Sequence, residues 1–276
     1  MRNVFTAARL LVLGAIVFVN WIIIGMFLSL FWSGDTPLYA AVLVEGVLIA
    51  LAFTPAGEAY FRFVNKLRRG LPDEEAALRP IYERVLKRCG IESPPELFVR
   101  HTSDVNALAV GTKTVAVTRG ALALPADEIE ALLAHEIGHL AHGDTKIRLV
   151  THVANLAGTV AAWAITGLIA ALGVVGMIGG TWGDRQMFGL GLFLVAFAWL
   201  LKLMAWCLSK LLELSFLAVG RSEEYRADAY AAERGYRDAL VRLLNRFDTA
   251  EEPRGTAALF ATHPAVHARI DRLMRV

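Results

Sequence analysis

Apolar residues gather in four blocks along the chain, separated by polar stretches with helical and β-type periodicity. Between positions 10 and 32 no residue is charged and Asn20 is the only strongly polar one. The run exceeds the ~20 residues a helix needs to cross a bilayer. It also exceeds the ~7–15-residue apolar region of a cleaved signal, so it is expected to be a retained anchor. Positions 38–53 form a shorter block that carries Glu45, whose burial in hydrocarbon needs a neighbouring helix or a polar cavity. The third block, 149–182, has no formal charge, and Gly158, Gly167, Gly173 and Gly176 permit close helix packing. Gly179-Gly180 and Gly183-Asp184-Arg185 interrupt the pattern before the fourth block, 187–201. At about 100° per residue Lys202, Ser209 and Glu213 share a face, so the fourth helix is expected to continue out of the membrane with a polar stripe turned toward protein.

Basic residues flank these blocks asymmetrically. Arg2 and Arg9 precede the first, Arg62, Lys66, Arg68 and Arg69 follow the second, Lys146 and Arg148 precede the third, and Arg221 follows the fourth. If every block spans, all of these fall on one side, which the positive-inside bias makes cytoplasmic. The expected organisation is a transmembrane hairpin over 1–59, a polar segment over 60–148, a second hairpin over 149–220 and a polar segment over 221–276. The two polar segments then form one cytoplasmic domain interrupted by a hairpin. Within them, apolar spacing predicts a helix over 72–87 stopped by Gly90, β-type runs over 96–100, 105–110 and 114–118, and a helix from Pro125 to Gly143.

That last helix contains His135-Glu136-Ile137-Gly138-His139. Histidines at i and i+4 lie one above the other, so two imidazoles can converge on one metal ion. Glu136, about 100° around the helix, reaches a water at such an ion without being a ligand. The bland alternative is a pair of surface histidines on an amphipathic helix, and a third ligand separates the two readings. Downstream, Glu223-Glu224-Tyr225-Arg226-Ala227-Asp228 is helical in character. Glu224 has a second carboxylate one turn on, at Asp228, able to orient a ligating imidazole from its far nitrogen, which favours it as third ligand. Spacing leaves Glu223 open as the alternative.

With these residues in place, the chain resembles the HtpX-type integral-membrane zinc metallopeptidases, related to the CAAX prenyl endopeptidases. The matching pieces are His135 to His139 with Gly143-Asp144, then Glu224 to Asp228, then Thr262-His263-Pro264 with Arg269-Ile270, within a similar layout of hydrophobic segments. The resemblance implies a mainly α membrane protein of about four transmembrane helices with a small α+β, zincin-like protease domain facing the cytoplasm. It implies Zn²⁺ held by His135, His139 and Glu224, with Glu136 as general base and Asp228 supporting His135. His263 is implied to lie near the oxyanion, and Asn106-Ala107 to hold an extended substrate at a strand edge. A structural strand with a polar turn residue is the alternative for Asn106 and Ala107. Ala265 replaces the second proline often found after the His-Pro pair, which bears on local loop geometry.

Composition adds limits. The chain has 276 residues, 56% hydrophobic and 20% charged, and the apolar excess over an ordinary soluble domain resides in the four blocks. A net charge of +2 without a clustered basic face excludes nucleic acid as an expected partner. Two cysteines, Cys89 and Cys207, exclude a cysteine-rich zinc module. The expected partners are polypeptides and the lipid bilayer, and the expected role is protein quality control at the cytoplasmic membrane. A processing protease for one substrate and a catalytically silent metal-binding scaffold are the alternatives; Glu136 disfavours the scaffold, because a structural site needs no base.

Overall fold

The fold was analysed in a computed structural model, which describes residues 2–181, 184–247 and 265–275. The chain divides into two compact units, one made of Met1–Ile49 and Thr151–Phe216, the other of Ala50–Val150 and Leu217–Val276.

The first unit is helical. It contains α1 (Arg2–Leu28), α2 (Thr36–Ala52) and parts of two long helices, α6 (Asp144–Gly180) and α7 (Arg185–Ala231). Among the described residues, three helices are long and apolar enough to cross a membrane, or up to four if α2 and the following α3 (Pro55–Val64) count as one bent span. Of the third-block glycines, Gly158, Gly173 and Gly176 serve close packing, whereas a Cβ at Gly167 would meet open space. A Cβ at Gly173 would lie 2.8 Å from the Gly191 carbonyl oxygen, and one at Gly191 would lie 2.4 Å from the Met177 nitrogen. A Cβ at Gly158 would collide with the Asn20 amide, which bonds to Asn155 across the α1–α6 contact at 3.2 Å. Glu45 is buried, and its Oε1 has no hydrogen-bond partner among the described residues.

The second unit is a four-stranded sheet covered by helices. Its strands are β1 (Leu67–Arg68), β2 (Glu96–Arg100), β3 (Ala107–Val110) and β4 (Thr114–Thr118), ordered β1-β2-β4-β3. β2 and β4 are parallel, whereas β1 pairs with β2 and β3 with β4 in antiparallel fashion. Among the described residues β3 is therefore an edge strand. It begins at Ala107 rather than at 105, because the Asn106 side chain turns back to accept from the Ala107 N–H at 2.8 Å. The β3–β4 turn is pinned from α3: the buried Glu58 carboxylate accepts from the Thr112 and Thr114 hydroxyls at 2.7 and 2.9 Å.

Helix α4 (Pro72–Cys89) follows its sequence signals. Pro72 opens it, Glu74 accepts from the Leu71 N–H at 2.8 Å, and Gly90 closes it in the left-handed region at φ 66°. Leu78, Ile81 and Val85 of α4 pack with Val115 and Val117 of β4. Ile129, Leu133 and Ile137 of α5 (Ala126–Ala141) and Leu240 and Leu243 of α8 (Arg237–Phe247) complete this core. Gly143, at φ 73°, ends the turn after α5 and lets α6 start at Asp144. The last described helix is α9 (Val266–Arg275).

Candidate metal centre

Two helices build the centre. α5 presents His135 and His139 one turn apart with perpendicular rings 4.9 Å between centroids. The C-terminal part of α7 presents Glu224 opposite them. The close approach of the two helices depends on Gly138, which lies between the histidines: a Cβ there would meet Ala227 Cα at 3.1 Å and Tyr230 Cβ at 3.2 Å. Glycine inside a helix costs roughly 0.5–1 kcal/mol relative to alanine, and here it allows α7 to lie against the histidine face.

Donor atoms of His135, His139 and Glu224 all lie within 4.8 Å of one another, and the three residues are buried. Glu224 Oε2 is 3.5 Å from His135 Nε2, and Oε1 is 3.4 Å from His139 Nε2. These separations are too long for good hydrogen bonds. One carboxylate oxygen faces each imidazole Nε2 at a spacing comparable to the ~3.4 Å between donors that lie about 2.0–2.1 Å from a common ion.

The far nitrogens of both rings face carboxylates. Asp228 Oδ1 lies 2.9 Å from His135 Nδ1, and Asp144 Oδ2 lies 2.9 Å from His139 Nδ1. Each carboxylate is in turn held by an arginine. Arg269 grips Asp228 with two bonds of 2.8 and 2.6 Å, and Arg226 donates to Asp144 at 2.8 Å. The Asp144 hydrogen bond fixes the His139 tautomer and leaves its Nε2 for a metal, and Asp228 places a carboxylate at His135 Nδ1 for the same purpose. Glu223, the alternative third ligand, is buried but turned to Arg148, which donates to it at 2.9 Å.

The charges follow from this geometry. Burial works against a charged His139, but the hydrogen bond to Asp144 and the nearby Glu224 carboxylate overcome it and push its pKa up to about 10. The His135 pKa is also raised, burial being outweighed by Asp228 and Glu224. Burial likewise opposes a charged Asp228, yet Arg269 and His135 hold its pKa below the usual carboxylate range. Five buried carboxylates, those of Glu136, Asp144, Glu223, Glu224 and Asp228, surround the site, and the three guanidiniums of Arg148, Arg226 and Arg269 pair with four of them or lie close by.

Glu136 is buried at the foot of a cleft of about 260 Å³ that it lines with Asn106, Leu132, His135, Leu243 and Arg269. The structure thus brings Asn106 to the same cleft as His135 and Glu136. The Asn106 carbonyl accepts from the Thr118 N–H at 2.9 Å, toward β4, so by alternation Ala107 faces away from β4, its N–H taken by Asn106 Oδ1 and its carbonyl left toward the edge. His263 lies outside the described residues. Asp144, Arg148, Arg226 and Arg269 are supports that sequence reasoning did not assign. The Gly143-Asp144 and Arg269-Ile270 pairs in the quoted motifs were the available signal.

Peptidase family M48 matches residues 72–276, which include the whole of this centre. The chain belongs to that family. Among similar M48 relatives, a "Protease HtpX homolog" of Acidiphilium cryptum is 33% identical over 265 residues, covering 83% of this chain and 86% of the relative. One from Aeropyrum pernix is 32% identical over 236 residues, covering 82% and 67%. "Protease HtpX" of Escherichia fergusonii is 30% identical over 200 residues, covering 65% and 66%. The crystal structure of S. mikatae Ste24p superposes with a TM-score of 0.56 at 20% identity. It covers 94% of this chain, which spans 62% of the Ste24p chain, so the fold is shared. The HtpX-type resemblance stands on these matches: this is a membrane-embedded metallopeptidase of family M48 with a helical fold and a small α+β domain.

Proposed function

We propose that the protein is a zinc endopeptidase that hydrolyses peptide bonds of membrane or membrane-associated proteins at the cytoplasmic face, in protein quality control. The observation that carries the reading is the pair of 3.4 and 3.5 Å separations between Glu224 and the two imidazole Nε2 atoms. In this reading His135, His139 and Glu224 hold the ion. When bound, zinc supplies Lewis acidity, which lowers the pKa of a bound water toward about 7 and polarises a carbonyl. Glu136 takes the proton of the attacking water and later delivers it to the leaving amine. Asp228 and Asp144 hold the imidazoles at Nδ1 and so turn Nε2 toward the ion, with Arg269 and Arg226 holding the two carboxylates. The open edge at Ala107 supports binding of an extended substrate by strand addition, with Asn106 setting its register beside Glu136. His263 is assigned to the oxyanion by resemblance.

The cytoplasmic orientation rests on the basic flanks, and the quality-control role on the likeness to HtpX-named relatives. The test is metal removal and return. Detergent-purified protein should cleave unfolded polypeptides, lose cleavage after treatment with a chelator, and regain it with about one equivalent of zinc. Full cleavage by protein stripped of metal would refute the reading.

A further inference from the structure

We infer that the helical unit carries a binding site for an anionic glycerophospholipid between α1, α6 and α7. A cavity of about 270 Å³ opens there, lined by Asn20, Asn155, Thr159, Trp163, Lys202 and Trp206 among others. Its lining is largely apolar, and Asn20, Asn155, Thr159 and Lys202 place polar groups within it. The Lys202 ammonium sits 3.8 Å above the Trp163 ring and 5.6 Å from that of Trp199. It has no carboxylate partner among the described residues. A cation in an apolar segment is costly unless an anion or water meets it, and contact with an indole offsets only part of that cost.

Depth identifies the anion. Trp163 lies about 17 residues before the end of α6 and Lys202 about 17 residues after the start of α7, or ~26 Å from the hairpin end in each helix. Against a hydrocarbon core of ~30 Å, this puts both just inside the opposite boundary. The Lys202 ammonium, held over Trp163 at that level, lies within a stem's reach of the phosphate layer. Trp163, Trp199 and Trp206 are all more than half exposed, as expected of an aromatic belt at a membrane interface. Toward the domain end, Asn155 accepts from Asn20, which leaves its own amide hydrogens for another acceptor. Phosphate on Lys202, headgroup hydroxyls at Asn155 and Thr159, and acyl chains along the exposed tryptophans satisfy all three regions. The cavity holds a headgroup, and the chains lie outside it.

The test is native mass spectrometry of the full chain in detergent, titrated with dioleoyl-phosphatidylglycerol, dioleoyl-phosphatidylcholine or inorganic phosphate. The wild type should retain phosphatidylglycerol about tenfold more tightly than phosphatidylcholine. Lys202→Gln should abolish this preference, Lys202→Arg should keep it, and Lys113→Gln, at an exposed turn of the other unit, should leave it unchanged. If Lys202→Gln cannot be purified, loss of the preference in Asn155→Ala supports the site and its retention refutes it. Equal retention of both lipids by the wild type, a preference that survives Lys202→Gln, or displacement of the lipid by inorganic phosphate alone would overturn the inference.

Discussion

Glu223 and Glu224 are adjacent, both buried and both acidic, yet the structure gives them different tasks. Glu224 faces two imidazoles and Glu223 faces Arg148. Replacing Glu224 with Ala should therefore strip the metal, which competition with a chromophoric chelator would report as loss of tight zinc binding. Glu223→Ala should retain zinc and instead lower the unfolding temperature, because it leaves the Arg148 guanidinium without its carboxylate. Asp228→Asn and Asp144→Asn should each weaken zinc binding or activity by roughly 10–100-fold, the usual effect of disturbing a group that orients a ligating imidazole. Equal zinc loss in Glu223→Ala and Glu224→Ala would contradict this division of roles. The two histidines were legible in the sequence because they belong to one helix, where an i, i+4 spacing is a geometric statement. The Asp228 partner of His135 was legible through the same rule applied to Glu224. Arg226 and Arg269 were not, because no spacing relates either arginine to its carboxylate: each pair joins separate helices, and only the fold brings them together.

At the scale of elements, the site depends on how closely α5 and α7 approach. Gly138→Ala adds a methyl group where Ala227 and Tyr230 already stand at 3.1 and 3.2 Å. Overpacking of this kind costs ~1–3 kcal/mol, and moving α7 outward separates Glu224 from the histidines. Zinc binding should weaken about tenfold with helix content unchanged, and Gly138→Val should abolish it. Unaltered affinity in both variants would mean that the helices reach the ligand geometry without this contact. The start of α4 makes a separate prediction. A hydrogen bond from Arg68 is the main reason that the Glu74 pKa falls to about 2, with the Leu71 N–H adding to it against the opposing effect of burial. An unfolded glutamate titrates near ~4.3, so this interaction contributes its full stability above that pH and loses it as the pH falls toward about 2. Thermal unfolding followed between pH 6 and about 2 should show a smaller acid destabilisation in Glu74→Gln than in the wild type. Periodicity and capping residues made α4, α5, β2 and β4 readable. The parallel pairing of β2 with β4 was not readable, because β3 lies between them in sequence yet pairs on the far side of β4. Nor was the clamp of Glu58 on the β3–β4 turn, which joins residues more than fifty positions apart.

For the whole molecule, two polar segments separated by apolar helices contribute to one compact unit, with α6 and α7 each supplying residues to both units. Reporter fusions after Arg69 and at Val276 should lie on the same, cytoplasmic side, and a fusion at Gly34 on the opposite side. A C-terminal reporter outside the cytoplasm would overturn the orientation. The central claim is that one buried cluster binds zinc through three residues and uses a fourth as base. It is tested most directly by measuring zinc content and proteolysis together on purified Glu136→Gln, which keeps the side chain's size while removing its basicity. The account predicts about one zinc per chain, as in the wild type, with cleavage reduced by the ~10²–10⁴ that general-base catalysis supplies. Cleavage at the wild-type rate, or loss of zinc from this variant, would contradict it.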